Sequence, residues 1–130
     1  MRTQVAIIGG GPSGLLLSQL LHRKGIETVV LERKTRDYVL GRIRAGILET
    51  GLVDLMREAG VAERLDAESM VHDGTVISYG NEQFAVNFKD LIDDSVVVYG
   101  QTEVTRDLYD AREAMDGKIV FNVENVTIHD

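Results

Sequence analysis

The chain has 130 residues, a length typical of one domain with enough apolar content to form a core. Its formal net charge of -7 argues against binding to nucleic acid or to an anionic membrane surface. With no cysteine it has neither disulfides nor thiolate metal sites, and with no long apolar run it has no membrane span, so we predict a cytoplasmic protein without a metal.

The N-terminal segment, residues 4–32, organises the chain. Val5 to Ile8 is a continuous apolar run, which is typical of a strand buried on both faces of a parallel sheet. Three glycines follow in the spacing GxGxxG. Gly9 allows a tight turn, Gly11 leaves room for a pyrophosphate, and Gly14 lets a helix lie close to the strand.

A helix is predicted directly after this glycine turn. Pro12 suits its first turn and Gly25 ends it. One apolar face is predicted from the leucine spacing, with Leu16, Leu17, Leu20 and Leu21. The N-terminus of such a helix directs free N–H groups toward a bound phosphate.

A second strand and an acid complete the unit. Thr28 to Leu31 is the predicted strand, and Glu32 follows it, 18 positions after Gly14. An acid at this place accepts hydrogen bonds from both hydroxyls of an adenosine ribose. Strand, glycine turn, helix, second strand and acid together predict a dinucleotide-binding βαβ unit rather than an ordinary one.

A basic run follows in this otherwise acidic chain: Arg33, Lys34, Arg36, Arg42 and Arg44. A solvated loop would explain a charge run that had no context. This run comes directly after the predicted ribose acid, and guanidinium groups pair well with phosphate oxygens. We therefore predict that at least some of these side chains bind phosphate.

The middle of the chain predicts a helix and then a hairpin. Apolar residues at helical spacing predict a core-facing helix closed by Gly60, namely Leu48, Leu52, Leu55, Met56 and Ala59. A further helical turn or two is predicted within residues 61–70. Thr75–Tyr79 and Gln83–Phe88 are predicted strands joined at Gly80 and Asn81. This hairpin, inserted at about 71–99, suggests an antiparallel layer.

The last third predicts a return to the parallel sheet. Val96–Tyr99 is a predicted strand, and a helix follows with an inner face of Val104, Leu108, Ala111 and Met115. Ile119–Phe121 is a candidate third parallel strand and Val123–His129 a candidate edge strand. The predicted fold class is α/β, a Rossmann-like βαβ unit with a parallel sheet plus an inserted antiparallel hairpin. The chain reaches Asp130 in what looks like an incomplete domain.

Four stretches resemble one family: GGGPSG, VVLER, DYVLGRIRAG and VVVYGQTEVTRDL. They are similar to the N-terminal part of the single-component (class A) flavoprotein aromatic hydroxylases, in particular those that act on 4-hydroxybenzoate. RIRAG and YGQTEVTRDL are far more specific than the glycine spacing. The resemblance extends over essentially all 130 residues.

The resemblance implies two bound nucleotides. The pyrophosphate region of FAD is held by Gly9, Gly11, Ser13 and Gly14, and the adenosine ribose by Glu32. The ribityl and phosphate portion of FAD is lined by Arg42, Arg44, Ala45, Gly46, Ile47 and Gln101. NAD(P)H use is implied for Arg33, Lys34, Tyr38, Arg42 and Arg44. Lys34 stands where the family usually has glutamine, so the preference between NADPH and NADH stays open.

The resemblance also implies a role for His72, at the outer end of a proton relay that helps to ionise the substrate phenol. By itself, the HDG sequence that contains His72 indicates only a turn. The tyrosine partners of the relay would lie beyond Asp130. His22 and His129 match no such position and are predicted to be structural or solvent-exposed.

The reaction implied is reduction of FAD by NADPH and transfer of oxygen from O₂ to the carbon ortho to the phenolate, giving 3,4-dihydroxybenzoate from 4-hydroxybenzoate. The later DG and GD motifs of the family and its substrate-binding residues are not found in this sequence. We therefore expect an N-terminal fragment of a hydroxylase that is inactive alone. The resemblance further implies a homodimer for the full-length form.

Two other interpretations share the glycine spacing and the acid. An NAD-dependent dehydrogenase uses the same βαβ unit, although the inserted hairpin and the arginine loop argue against it. A stand-alone NAD- or FAD-binding module without hydroxylase activity is the second. Such a module would unfold cooperatively as a monomer, whereas a fragment would expose sheet edge and apolar surface.

Overall fold

A computed structural model describes residues 2–42 and 44–129 of the protein. The elements in chain order are β1 Val5–Ile8, α1 Pro12–Arg23, β2 Thr28–Leu31, α2 Arg36–Leu40, β3 Ile47–Glu49, α3 Thr50–Ala59, α4 Glu63–Glu68, β4 Met70–His72, β5 Gly74–Tyr79, β6 Glu82–Asn87, α5 Phe88–Ile92, β7 Val96–Val98, α6 Gln101–Ala114 and β8 Lys118–Val120. The chain divides into two compact units. Ala45–Gly100 forms the second unit, and the described residues before and after it form the first.

The first unit is a parallel sheet covered by helices α1 and α6. Its strand order is β1-β2-β8, with Val5 opposite Thr28 and Val30 opposite Ile119. Helix α1 packs on β1 and β2 and also on α6. Leu15 of α1 and Leu108 of α6 are both buried. The predicted βαβ unit and its third parallel strand are confirmed.

Strand β1 corrects one prediction, because it is not buried on both faces. Ile7 is buried, whereas Ile8 is 67% exposed. Successive side chains of a strand point to opposite faces, and α1 lies over only the Ile7 side, where a Cβ on Gly14 would come 3.2 Å from Ile7 Cγ2. Among the described strands β1 pairs with β2 alone, so it forms an edge of the sheet.

The buried face of α1 also differs from the leucine spacing. Leu17 is 47% exposed, and the buried positions are Leu15, Leu16, Ser18 and Gln19. Residues 15, 18 and 19 form a stripe at i, i+3 and i+4, whereas residue 17 lies about 200° around the helix from residue 15. The prediction considered only leucine side chains, whereas the buried stripe of α1 contains two polar residues, Ser18 and Gln19.

The second unit is antiparallel. β3 and β4 pair on either side of β7, and β5 pairs with β6. The predicted hairpin turn is confirmed, with Gly80 in the left-handed region at φ +59. Helix α3 and its closing Gly60 are also confirmed. Leu48 is wrong as a helical residue, because it lies in β3 opposite Val97.

The predicted edge strand Val123–His129 is wrong. These residues have no regular secondary structure. Asn122 and Asn125 both have φ of 56°, which takes the backbone out of the extended region on either side of Val123. One bond still ties this segment to the sheet, since the Val123 N–H donates to the Glu32 carbonyl at 3.0 Å.

The observed architecture confirms the predicted α/β class, with a parallel βαβ sheet and an antiparallel hairpin. Within residues 2–42 and 44–129 no helix combines the length and the apolar character that crossing a membrane requires.

Candidate functional site

The glycine turn between β1 and α1 has the backbone that its spacing predicts. Gly9 has φ of +113, a conformation that side chains rarely tolerate. A Cβ on Gly14 would lie 2.1 Å from the Gly9 carbonyl oxygen, so helix and turn are in close contact. A Cβ on Gly11 would meet no heavy atom of the described residues within 4 Å. Gly11 therefore leaves open space at the turn.

The N-terminus of α1 faces this open space with its polar groups uncapped. Gly11 is the N-cap and has no side chain, and Pro12 occupies the first position of the helix. The first helical bond joins the Leu15 N–H to the Gly11 carbonyl at 3.0 Å. The N–H groups of Ser13 and Gly14 precede that bond and belong to the set that a helix leaves without an internal partner. Such groups bind anions.

Glu32 meets the turn from the end of β2. One carboxylate oxygen, Oε2, accepts from the Gly10 N–H at 2.7 Å, and Oε1 accepts from the Lys34 N–H at 2.7 Å. A carboxylate has about four lone-pair positions, so two remain for other donors. The acid is therefore fixed in orientation and can still accept bonds from a ribose.

A cleft of about 440 Å³ opens beside the turn in the first unit. It brings together many of the residues that the sequence predicted for a nucleotide: Gly11, Ser13, Glu32, Arg33, Lys34, Tyr38, Arg42, Arg44 and Gln101. Gly9 lines a second cavity of about 330 Å³ that also contacts Glu32. Predicted FAD and NAD(P)H residues thus line one and the same cleft.

The structure places the residues of the basic run in two different environments. Arg36 is turned to α6, where its guanidinium pairs with Asp110 and lies 3.5 Å from a carboxylate oxygen of Glu113. It also lies 5.5 Å from the ring centroid of Tyr109. The other four cations, Arg33, Lys34, Arg42 and Arg44, line the cleft. A phosphate role is therefore geometrically open to these four, whereas Arg36 ties α2 to α6.

Helix α2 places Tyr38 at the cleft. The Thr35 hydroxyl accepts from the Tyr38 N–H at 3.2 Å and so begins the helix. Tyr38 is half exposed, and Lys34 Nζ lies 5.3 Å from the centroid of its ring. Cation and aromatic face are in the range of a cation–π contact. They form one wall of the cleft.

The remaining predicted residues belong to the second unit. The Gly46 carbonyl accepts from the Tyr99 N–H at 2.8 Å, and a Cβ on Gly46 would lie 2.7 Å from the Gly100 Cα. Ile47 begins β3 and is 58% exposed. His72 ends β4, opposite Val96, with an exposed side chain. The roles of Ala45, Gly46, Ile47 and His72 stay predictions from the resemblance. Ile43 and Asp130 lie outside the described residues.

The sequence did not predict a role for Gly10 or for Tyr109, which contacts the glycine turn from α6. Gly10 donates to Glu32, and its carbonyl accepts from the Tyr109 hydroxyl at 2.7 Å. Burial, and to a lesser extent the negative charge of Glu32, raises the pKa of Tyr109 to about 12. Tyr109 follows Leu108 on α6 but does not fall on the helical spacing that predicted the inner face, so the apolar pattern carried no signal for it.

Comparison with known proteins identifies a family and several relatives of this chain. The model of the FAD binding domain family matches residues 2–130. A p-hydroxybenzoate hydroxylase of Acinetobacter baylyi is 48% identical over an alignment of 131 positions, which covers 100% of this chain and 32% of that protein. A probable NADH-specific resorcinol 4-hydroxylase of Rhodococcus jostii is 36% identical over 85 residues, 65% of this chain and 16% of that protein.

A solved structure has the same fold. A probable FAD-dependent monooxygenase from Pseudomonas aeruginosa superposes with a TM-score of 0.76 at 20% identity, covering 98% of this chain and 35% of that one. At this identity the likeness concerns the fold alone. The chain spans about a third of the length of the hydroxylase from Acinetobacter baylyi.

Proposed function

This chain belongs to the FAD binding domain family, and we propose that it is the N-terminal, dinucleotide-holding part of a flavin-dependent aromatic hydroxylase. The complete enzyme uses NAD(P)H and O₂ to convert 4-hydroxybenzoate to 3,4-dihydroxybenzoate. The support for this substrate is the 48% identity with the p-hydroxybenzoate hydroxylase of Acinetobacter baylyi. The observation that carries the proposal is the glycine turn meeting the Glu32 carboxylate beside a basic cleft.

The first unit fits the adenosine diphosphate half of FAD. The empty space at Gly11 admits a pyrophosphate close to the backbone, and the uncapped N–H groups of α1 are ready to bind it. The free lone pairs of Glu32 suit the two ribose hydroxyls. The cationic side chains of Arg42 and Arg44 add positive charge to the same cleft.

FAD, once bound, supplies the redox chemistry and the activation of O₂. The residues of this chain bind and orient it. A dinucleotide that is held at its pyrophosphate and at its ribose has two fixed points, so the direction of the remaining flavin portion is restricted. We further propose that Ser13 and Gln101, which line the cleft, contact the phosphate and ribityl portions.

Replacing Glu32 with alanine tests this function. Glu32→Ala is expected to weaken FAD binding by about 1–3 kcal/mol, because the ribose hydroxyls lose their acceptor in a partly buried site. The measurement is a titration of the chain with FAD, followed by quenching of flavin fluorescence, with NAD titrated in parallel. The parent chain is expected to bind FAD in preference to NAD.

Glu124→Ala is the matched control, since it removes one exposed carboxylate from the same unit. It is expected to bind FAD like the parent. Equal FAD affinity in Glu32→Ala and the parent would contradict the ribose assignment. Tight binding of NAD and none of FAD by the parent would replace the proposed function with that of an NAD-dependent protein.

We propose that the basic side chains of the cleft also receive the pyridine nucleotide. Arg33 and Lys34 follow the ribose acid, and Lys34 packs against the ring of Tyr38. The 2′-phosphate of NADPH carries about two negative charges more than the hydroxyl that NADH has in its place. An added lysine in this wall therefore favours NADPH over NADH.

Lys34→Gln is expected to weaken NADPH binding by about three- to tenfold and to leave NADH binding within about twofold, because the proposal pairs the lost charge with the 2′-phosphate, which NADH lacks. Competition of each nucleotide against a fluorescent analogue measures both affinities. Lys118→Gln is the control, since Lys118 begins β8 at the opposite end of the strands. A parallel loss for NADH and NADPH would argue against recognition of the 2′-phosphate by Lys34.

A further inference from the structure

Gly10, at the centre of the glycine turn, is held through the polar groups of both peptides that flank its Cα. Its N–H donates to Glu32 Oε2 at 2.7 Å, and its carbonyl accepts from the Tyr109 hydroxyl at 2.7 Å. Tyr109 is 1% exposed and lies on α6, 99 residues further along the chain. A helix outside the βαβ unit therefore determines the orientation of a peptide inside the nucleotide turn.

The ring of Tyr109 is fixed by its own contacts. The Phe121 ring lies at a centroid distance of 5.9 Å and an angle of 40°, and the Arg36 guanidinium lies 5.5 Å from the Tyr109 centroid. Arg36 is itself paired with Asp110, the next residue on α6. The hydroxyl thus occupies one defined position, and because the pKa is about 12 it remains a donor throughout the neutral range.

The orientation of Gly10 determines what Gly11 presents. In a planar trans peptide the carbonyl and the following N–H point in opposite directions, so a bond that holds the Gly10 carbonyl also sets the direction of the Gly11 N–H. Gly11 lines the cleft, and the backbone at the second glycine is the part that approaches a pyrophosphate.

We propose that Tyr109 is a positioning residue for dinucleotide binding, whose hydroxyl locks the Gly10 peptide so that the Gly11 backbone and the Glu32 carboxylate keep their binding geometry. The inference rests on the proposed function for its ligand, FAD. The lack of a side chain at residue 10 belongs to the same arrangement, since a Cβ there would lie 3.0 Å from the Tyr109 hydroxyl oxygen and 3.0 Å from Glu32 Cβ.

Tyr109→Phe removes the hydroxyl and keeps the ring contacts. The variant is expected to bind FAD about five- to tenfold more weakly, the effect of one neutral hydrogen bond. In the FAD-free chain, hydrogen exchange of the Gly10 amide is expected to be at least about fivefold faster than in the parent, relative to the amides of Val29 and Val30 in β2. The β2 amides report general stability, and the Gly10 amide reports the turn.

Ser18→Ala is the matched control. Ser18 is fully buried, and its hydroxyl donates to the Leu15 carbonyl at 2.7 Å, so this variant also loses one buried hydroxyl bond without touching the turn. It is expected to keep the FAD affinity of the parent and the ratio of Gly10 to β2 exchange. If Tyr109→Phe shows no larger change than Ser18→Ala in either measurement, Tyr109 has a packing role only and the proposal is overturned.

Gly10→Ala tests the same contact with Tyr109 in place, so it does not depend on the folding of Tyr109→Phe. The added Cβ would lie 3.0 Å from the Tyr109 hydroxyl oxygen, so this variant is expected to weaken FAD binding and to speed exchange of the residue 10 amide relative to the β2 amides. If Gly10→Ala left both quantities as in the parent, the turn would not depend on this contact and the proposal would be overturned. If the parent itself binds no FAD, the proposed function fails, and the exchange ratio of Gly10 still decides whether Tyr109 holds the turn.

Discussion

Gly14→Ala is expected to lower the free energy of unfolding of the chain by about 1–2 kcal/mol. The new Cβ would lie 2.1 Å from the Gly9 carbonyl oxygen, a backbone atom that cannot rotate away. Helix α1 would have to move off the turn and off Ile7, and forced shifts of this kind typically cost about 1–3 kcal/mol. The gain in helix propensity from glycine to alanine, about 1 kcal/mol, offsets only part of this. Urea unfolding at constant m-value gives the change.

Gly51→Ala is the control for this result. Gly51 lies in the first turn of α3, as Gly14 lies in the first turn of α1, and its Cβ would meet no heavy atom of the described residues within 4 Å. Alanine there is expected to raise stability by about 0.4–1 kcal/mol. Opposite signs for the two substitutions would locate the effect in the contact with Gly9. A Gly14→Ala variant as stable as the parent would mean that helix and turn are further apart than the structure has them.

The nucleotide-binding half of the fold could be predicted from the sequence because each of its steps has a local signal. Gly9 was predicted to allow a tight turn, and its φ is positive. Gly14 was predicted to let the helix lie close to the strand, and it makes that close contact. The strand before the turn and the acid after β2 are adjacent to these signals in the chain. Local chemistry was therefore sufficient for the turn, the helix bounds and Glu32.

The wrong predictions concern residues whose burial or pairing depends on contacts with distant parts of the sequence. Ile8 was predicted to be buried from the apolar run of β1, but the described residues cover only the other face of that strand. Leu48 fits a helical spacing and yet pairs with Val97, a partner 49 residues away that the spacing does not contain. The contact of Tyr109 with Gly10 joins α6 to the glycine turn, and no periodicity in either segment indicates it.

Gly11→Ala is expected to reduce FAD affinity by at least about 100-fold, equivalent to about 2.7 kcal/mol, and to leave the fold intact. Gly11 has φ of -79 and ψ of 179, a backbone that alanine adopts without strain. A Cβ here meets no atom of the described residues, so the methyl group costs nothing in packing. On the proposed function, the group that it would displace is the ligand phosphate at the N-terminus of α1.

Stability and affinity together make this prediction specific to the site. At an N-cap position glycine is preferred to alanine, and in the unfolded chain alanine loses less entropy, so these small terms oppose each other and the change in unfolding free energy is expected to stay within about 0.5 kcal/mol. Gly51→Ala should bind FAD like the parent. Because Gly14→Ala loses stability and Gly11→Ala loses ligand, the two substitutions separate the glycine that the fold needs from the glycine that the nucleotide needs. If Gly11→Ala retained the FAD affinity of the parent, the pyrophosphate would have to lie elsewhere than against this turn.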